Sequence, residues 1–183
     1  MAIDLEKFRE AINATLSKVD TEKVTEEGIK TELPDGYYLC EIKSAELTES
    51  KNHNLMVAIQ FTTTEDGQQS IIDEDGFAKT VPAPNTKDKI IYQNYVISNE
   101  MNAGFFIADM LKFEDPESNT PIFDKDSDFA DIDAIANVCD ILNQYQPFVY
   151  IMVSTVESKD EPGKTEKKYK PISWKRAQRL ELI

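Results

Sequence analysis

Apolar residues recur at three- and four-residue steps from Leu5 through Phe8, Ile12 and Leu16 to Val19. That spacing lays one apolar stripe along a helix over residues 4–19, with Asp4 placed to cap its first turn. Residues 20–32 are polar and acidic and read as a linker. Leu33-Pro34-Asp35-Gly36 is a turn signal, because proline presets one backbone angle and glycine permits another. Beyond it the period shortens to two. Tyr37–Leu47 sets Tyr38, Cys40 and Ile42 against Tyr37, Leu39, Glu41 and Lys43. Leu55–Thr63 sets Leu55, Val57, Ile59, Phe61 and Thr63 against Met56, Ala58, Gln60 and Thr62. Glu49–Asn54 is the polar hairpin loop between these two strands. Residues 64–88 read as a long irregular connection, a length associated with function or mobility.

A third strand spans Lys89–Ile97, on which Tyr92 and Tyr95 take opposite faces, so one of them is exposed. Ser98 or Asn99 caps a helix reaching about Phe113, largely buried through Phe105, Ile107, Ala108, Met110 and Leu111. Residues 114–128 form an acidic loop. A helix over 129–145 follows, its apolar face Ile132, Ile135, Val138, Cys139 and Leu142. Gln146-Pro147 ends it. Phe148–Val156 is the clearest strand, and Phe148, Tyr150 and Met152 share a side. Glu157–Lys167 is a charged loop with Pro162-Gly163 at its tip. Lys168–Trp174 returns as the last strand, and Lys175–Ile183 is short and basic. Three strands, a helical crossing and a closing hairpin is the order of an OB-fold. The expected class is mainly β (α+β): an OB-fold-like five-stranded barrel with helices between strands 3 and 4 and an N-terminal amphipathic helix. The division is 1–32 for helix and linker and 33–183 for the barrel.

A chain of 183 residues buries enough surface to fold without disulfide staples. Cys40 and Cys139 each stand alone in apolar stretches and read as reduced core residues of a cytoplasmic protein. The N-terminus lacks the apolar stretch of a signal peptide, and no run approaches the roughly 18 residues of a membrane span. The net charge is −14, unevenly spread. From Lys159 onward eight basic residues face four acids, whereas Asp109–Asp140 holds ten acids against Lys112 and Lys125. An acidic body with a basic end carries a strong internal field.

No catalytic constellation emerges, and the expected function is non-enzymatic, without cofactor or metal. His53, the single histidine, lies between asparagines with no nucleophile or orienting partner nearby in sequence. Asp124-Lys125-Asp126-Ser127-Asp128 has alternating calcium-type oxygens. Phe129 and Ile135 then occupy the places where a calcium loop needs glycine and glutamate. Asp128 reads instead as a helix cap, with Asp131 and Asp133 near the positive helix end.

The closing hairpin interleaves cations with rings, the parts that bind single-stranded nucleic acid: lysine and arginine neutralise phosphates and aromatic faces stack on unpaired bases. The candidate contacts are Tyr92, Tyr150, Lys159, Lys164, Lys167, Lys168, Tyr169, Lys170, Trp174, Lys175 and Arg176. The opposing reading makes Phe148, Tyr150 and Trp174 core and leaves the lysines to solubilise a loop.

Leu33-Pro34-Asp35-Gly36-Tyr37, then Ala45-Glu46-Leu47, the polar Glu49-Ser50-Lys51-Asn52 loop, Leu55-Met56-Val57 and finally Lys170-Pro171-Ile172-Ser173-Trp174 follow one another in a telling order. In these features the chain resembles a phage-encoded family of uncharacterised proteins likened to single-stranded-DNA-binding proteins and found beside replication and recombination genes. The resemblance spans roughly residues 4–176. It implies an OB-like fold, binding of single-stranded DNA without sequence reading, a place in the host-cell cytoplasm, and phage replication or recombination proteins as partners. Self-association through the N-terminal helix is a further expectation. The acidic tail common among phage single-strand binders is replaced here by a basic one. The rival expectation is an acidic interaction factor, whether adaptor, inhibitor or nucleic-acid mimic, that binds a host or phage protein through its carboxylates.

Overall fold

The computed structural model describes residues 33–115, 117–118, 120–158 and 162–183, and the backbone alone of 24–25 and 28–29. The chain divides into two units, Met1–Glu32 and Leu33–Ile183. In the first, β1 (Val24–Thr25) pairs antiparallel with β2 (Gly28–Ile29). The helix expected over 4–19 lies outside the described residues.

The second unit contains β3 (Gly36–Glu49), β4 (Leu55–Thr63), β5 (Gly67–Ile72), β6 (Ala78–Ala83) and β7 (Ile90–Ile97). Helices α1 (Glu100–Met110) and α2 (Ile132–Tyr145) follow, then β8 (Phe148–Glu157), β9 (Thr165–Ile172) and α3 (Trp174–Arg179). The seven strands form one antiparallel sheet. Its hub is β3, which pairs with β4 and β5 along one edge and with β8 along the other. β7 adds to β4, β6 to β5, and β9 to β8.

Alternation decides which face is buried. Val57, Ile59, Phe61 and Thr63 on β4 are buried, as the period-two reading requires. Tyr38, Cys40 and Ile42 on β3 and Val149, Ile151 and Val153 on β8 complete that inner face. The helices close over it with Phe106 and Met110 from α1 and Val138, Cys139 and Leu142 from α2. Phe106 meets Tyr95 edge-on at 5.4 Å and Phe129 at 5.7 Å, ring geometry that adds specificity to the apolar contact. Both cysteines are free and buried.

Four expectations are corrected. First, residues 64–88 contain the β5–β6 hairpin, not an irregular connection. Asp73 Oδ1 accepts from the N–H groups of Asp75 and Phe77 at 3.1 and 2.9 Å and closes its turn. The hairpin attaches through a close approach of Gly36 to the Gln68–Gln69 backbone, where a Cβ on Gly36 would stand 2.1 Å from Gln68 O.

Second, the sheet is open, not a closed five-stranded barrel: among the described residues β7 and β9 do not pair. α1 touches both strands, and beyond it Glu114 Oε2 accepts from the N–H of Trp174 at 2.7 Å. This segment bridges the two strands in place of a backbone ladder. Third, β9 begins at Thr165 and ends at Ile172, and the chain then turns into α3 under a Ser173 cap, whose Oγ accepts from Arg176 N–H at 3.3 Å. Fourth, α2 starts at Ile132 with Asp131 as its cap. Asp128 instead accepts from the Asp124 N–H at 2.7 Å. Asn99 caps α1.

Candidate nucleic-acid interface

The outer face of the sheet has two halves. On the half formed by the start of β3 with β8 and β9, Tyr37, Leu39, Tyr150, Met152 and Ile172 point outward and are roofed by Ala177 of α3 with Trp174, Leu180 and Leu182. Tyr150 is 5% exposed. Its Oη donates to Leu182 O at 3.2 Å, and its ring meets Trp174 edge-on at 5.5 Å. The roof turns Lys175, Arg176 and Arg179 to solvent, and Lys168 and Lys170 lie exposed on β9 on the same side of the sheet.

The other half, across the end of β3, β4 and β7, has no helix over it among the described residues. Its residues stand in cross-strand rows: Ile90, Thr62, Glu41 and Phe148; Tyr92, Gln60 and Ser44; Asn94, Ala58 and Glu46; Val96, Met56 and Thr48. Tyr92 is 55% exposed, while Tyr95 on the inner face is 6% exposed and donates to Asp109 Oδ2 at 3.1 Å. Ile90 and Phe148 are each 46% exposed. Lys43 pairs with Glu41 beside them.

The residues named from sequence therefore separate. Tyr92, Lys168, Lys170, Lys175 and Arg176 share one side of the sheet and face solvent. Tyr150 lies on that side too, but beneath α3, with Trp174 of that helix packed against its ring. Lys167 and Tyr169 turn to the opposite face, where Tyr169 packs on the core and Lys167 Nζ lies 2.7 Å from Asp35 Oδ1. Lys164 is exposed at the β8–β9 turn, and Lys159 lies outside the described residues. Lys168 has Glu166 at 3.9 Å. Sequence reasoning missed Ile90, Gln60, Thr62, Asn94 and Arg179. Alternation from Tyr92 could have found the strand residues, since every second position of β7 and β4 shares its face.

An exposed ring on the same side of a sheet as a cationic ridge offers one surface for stacking a base and another for neutralising phosphates. Other chemistry has less to work with. His53 is exposed, with Nδ1 2.6 Å from Glu49 Oε1. Among the described residues no group of three histidines, cysteines or acids is placed to hold a metal ion. Asp124 is spent on its own turn: backbone N–H groups of Ser127 and Asp126 hold its carboxyl below the usual range. Among the described residues no helix is long and apolar enough to cross a membrane. No protein-family model matches the sequence, and no curated protein matches it.

Proposed function

We propose that residues 33–183 form an OB-like module that binds single-stranded nucleic acid, DNA being the expected form, as an accessory of phage replication or recombination. One observation carries this reading. A single side of the sheet bears both an aromatic and polar surface around the exposed Tyr92 and a cationic ridge of Lys168, Lys170, Lys175, Arg176 and Arg179. The strand order supports the OB-like part. The pairings β3–β4, β4–β7, β3–β8 and β8–β9 follow a five-stranded OB order that lacks its closing pair, and OB barrels are often partly open, with ligands on the face of their second and third strands. Those strands here are β4 and β7. In this reading β9 and α3 together supply the electrostatic half of the site, and Tyr92 rather than the hairpin rings supplies the stacking half.

The test is fluorescence anisotropy with labelled oligo-dT at about 50 and 200 mM salt. Binding is expected at the lower salt and should fall steeply at the higher. Tyr92→Ala should weaken it by about 1–3 kcal/mol, the worth of one stacked base. Changing Lys175, Arg176 and Arg179 together to glutamate should flatten the salt dependence. Absence of binding at the lower salt overturns the proposal in favour of the acidic interaction factor, whose carboxylates between Asp109 and Asp140 would then meet a basic partner.

A further inference from the structure

The turn between β3 and β4 borders an open depression of about 400 Å³ on the outer face. Its floor is apolar, from the cross-strand pair Met56 and Val96. Its rim carries three amides, Asn52 and Asn54 from the turn and Asn94 from β7, with Lys51 beside them. The turn is closed on itself before any ligand arrives. Ser50 N–H donates to Asn54 O at 2.8 Å, His53 N–H to Ser50 O at 2.9 Å, and Asn54 N–H to Ser50 Oγ at 3.1 Å. His53 holds a positive φ of 58° to make this possible. A turn fixed in this way pays little ordering cost on binding.

From this geometry we infer a subsite for one unstacked nucleobase; the inference rests on the single-strand reading above. An apolar floor with a few convergent polar groups is the composition of a small-molecule pocket. A primary amide offers both a donor and an acceptor, which matches the mixed edge of a base and is wasted on a phosphate, which only accepts. The charges agree. Lys51 and Glu49 both line the depression, so its formal charge offers a phosphate no net cation. Asn94 lies two residues from Tyr92 on the same face of β7, about 7 Å along the strand. Tyr92 can therefore stack one base while the depression takes its neighbour. Asparagine amides pair bidentately with adenine in other settings, so the subsite gives the module a base preference at one position, which stacking alone does not.

The experiment is anisotropy with the full chain and labelled oligo-dT carrying a single adenine, or a single abasic site, moved one position at a time. One register should show tighter binding with adenine and about tenfold weaker binding with the abasic site. Asn52→Ala with Asn94→Ala should erase both position effects and weaken binding to plain oligo-dT by about the same tenfold as the abasic site. Both residues are exposed, so a circular dichroism melt should be unchanged. Binding with a flat position scan overturns the subsite and leaves the single-strand reading standing. No binding to any oligonucleotide overturns both.

Discussion

The carboxylate of Asp35 lies 2.7 Å from the ammonium of Lys167, 132 residues further along the chain. The same carboxylate accepts from the N–H of Thr155 at 2.9 Å and from its hydroxyl at 2.7 Å, and the Asp35 carbonyl accepts from Ser70 N–H at 2.7 Å. One residue of the entry turn thus ties β5, β8 and β9 together. Lysine 167, which the sequence offered to a phosphate, is engaged in the fold.

Asp35→Asn should destabilise the protein at neutral pH by about 1 kcal/mol, a modest figure because the aspartate is 40% exposed and its ion pair is screened. Burial pushes the Asp35 carboxyl up, but the bonds from Lys167 and Thr155 outweigh it and hold the group below its ordinary value. A depressed folded-state value stabilises above the unfolded value, about 3.9, and is lost as pH falls through the folded one. Thermal melts between neutral pH and about pH 3 should show wild type and variant converging at the acid end. A constant gap would assign the effect to something other than this charge.

Asn143 of α2 treats Ala45 as a strand neighbour would. Its Oδ1 accepts from Ala45 N–H and its Nδ2 donates to Ala45 O, both at 2.7 Å. This lies beyond Glu41, where the β8 ladder ends. Asn143→Ala leaves both groups of a buried residue without that partner and should cost about 1–3 kcal/mol. Gln144→Ala, next to it and exposed, should cost almost nothing. Urea unfolding of the two variants makes the comparison.

Gly67→Ala should be poorly tolerated. A Cβ there would stand 2.2 Å from the Tyr38 ring and 2.7 Å from Tyr37 O, and Tyr38 is fully buried. Overpacking of this kind costs about 1–3 kcal/mol. The measurement is the unfolding midpoint, and an unchanged midpoint would mean the β5–β6 hairpin sits elsewhere.

Neither thiol should react in the native protein. Burial pushes Cys40 far up and Cys139 to about 11. The thiolate is the reactive form. A disulfide reagent at mildly alkaline pH should therefore label neither cysteine until denaturant is added, and then both.

What the sequence disclosed follows how strongly burial marks each segment. β4 alternates cleanly because one face is core, and Tyr92 and Tyr95 could be assigned to opposite faces on the same ground. The β5–β6 hairpin escaped notice because it buries little: Ile72 and Phe77 are exposed, so its composition carries no period. α3 escaped because six residues are too few to display a helical repeat, and Pro171-Ile172-Ser173-Trp174 reads equally well as strand. The candidate site suffered accordingly. Tyr150 stands on the solvent side of the sheet by alternation, and only α3, invisible in the pattern, removes it from solvent.

Trp174 is the chain's single tryptophan and leans on the Tyr150 ring. The molecule consequently carries an intrinsic optical gauge at one defined spot. Its emission reports whether the C-terminal lid is seated, without any added label, and so separates undocking of that lid from global melting.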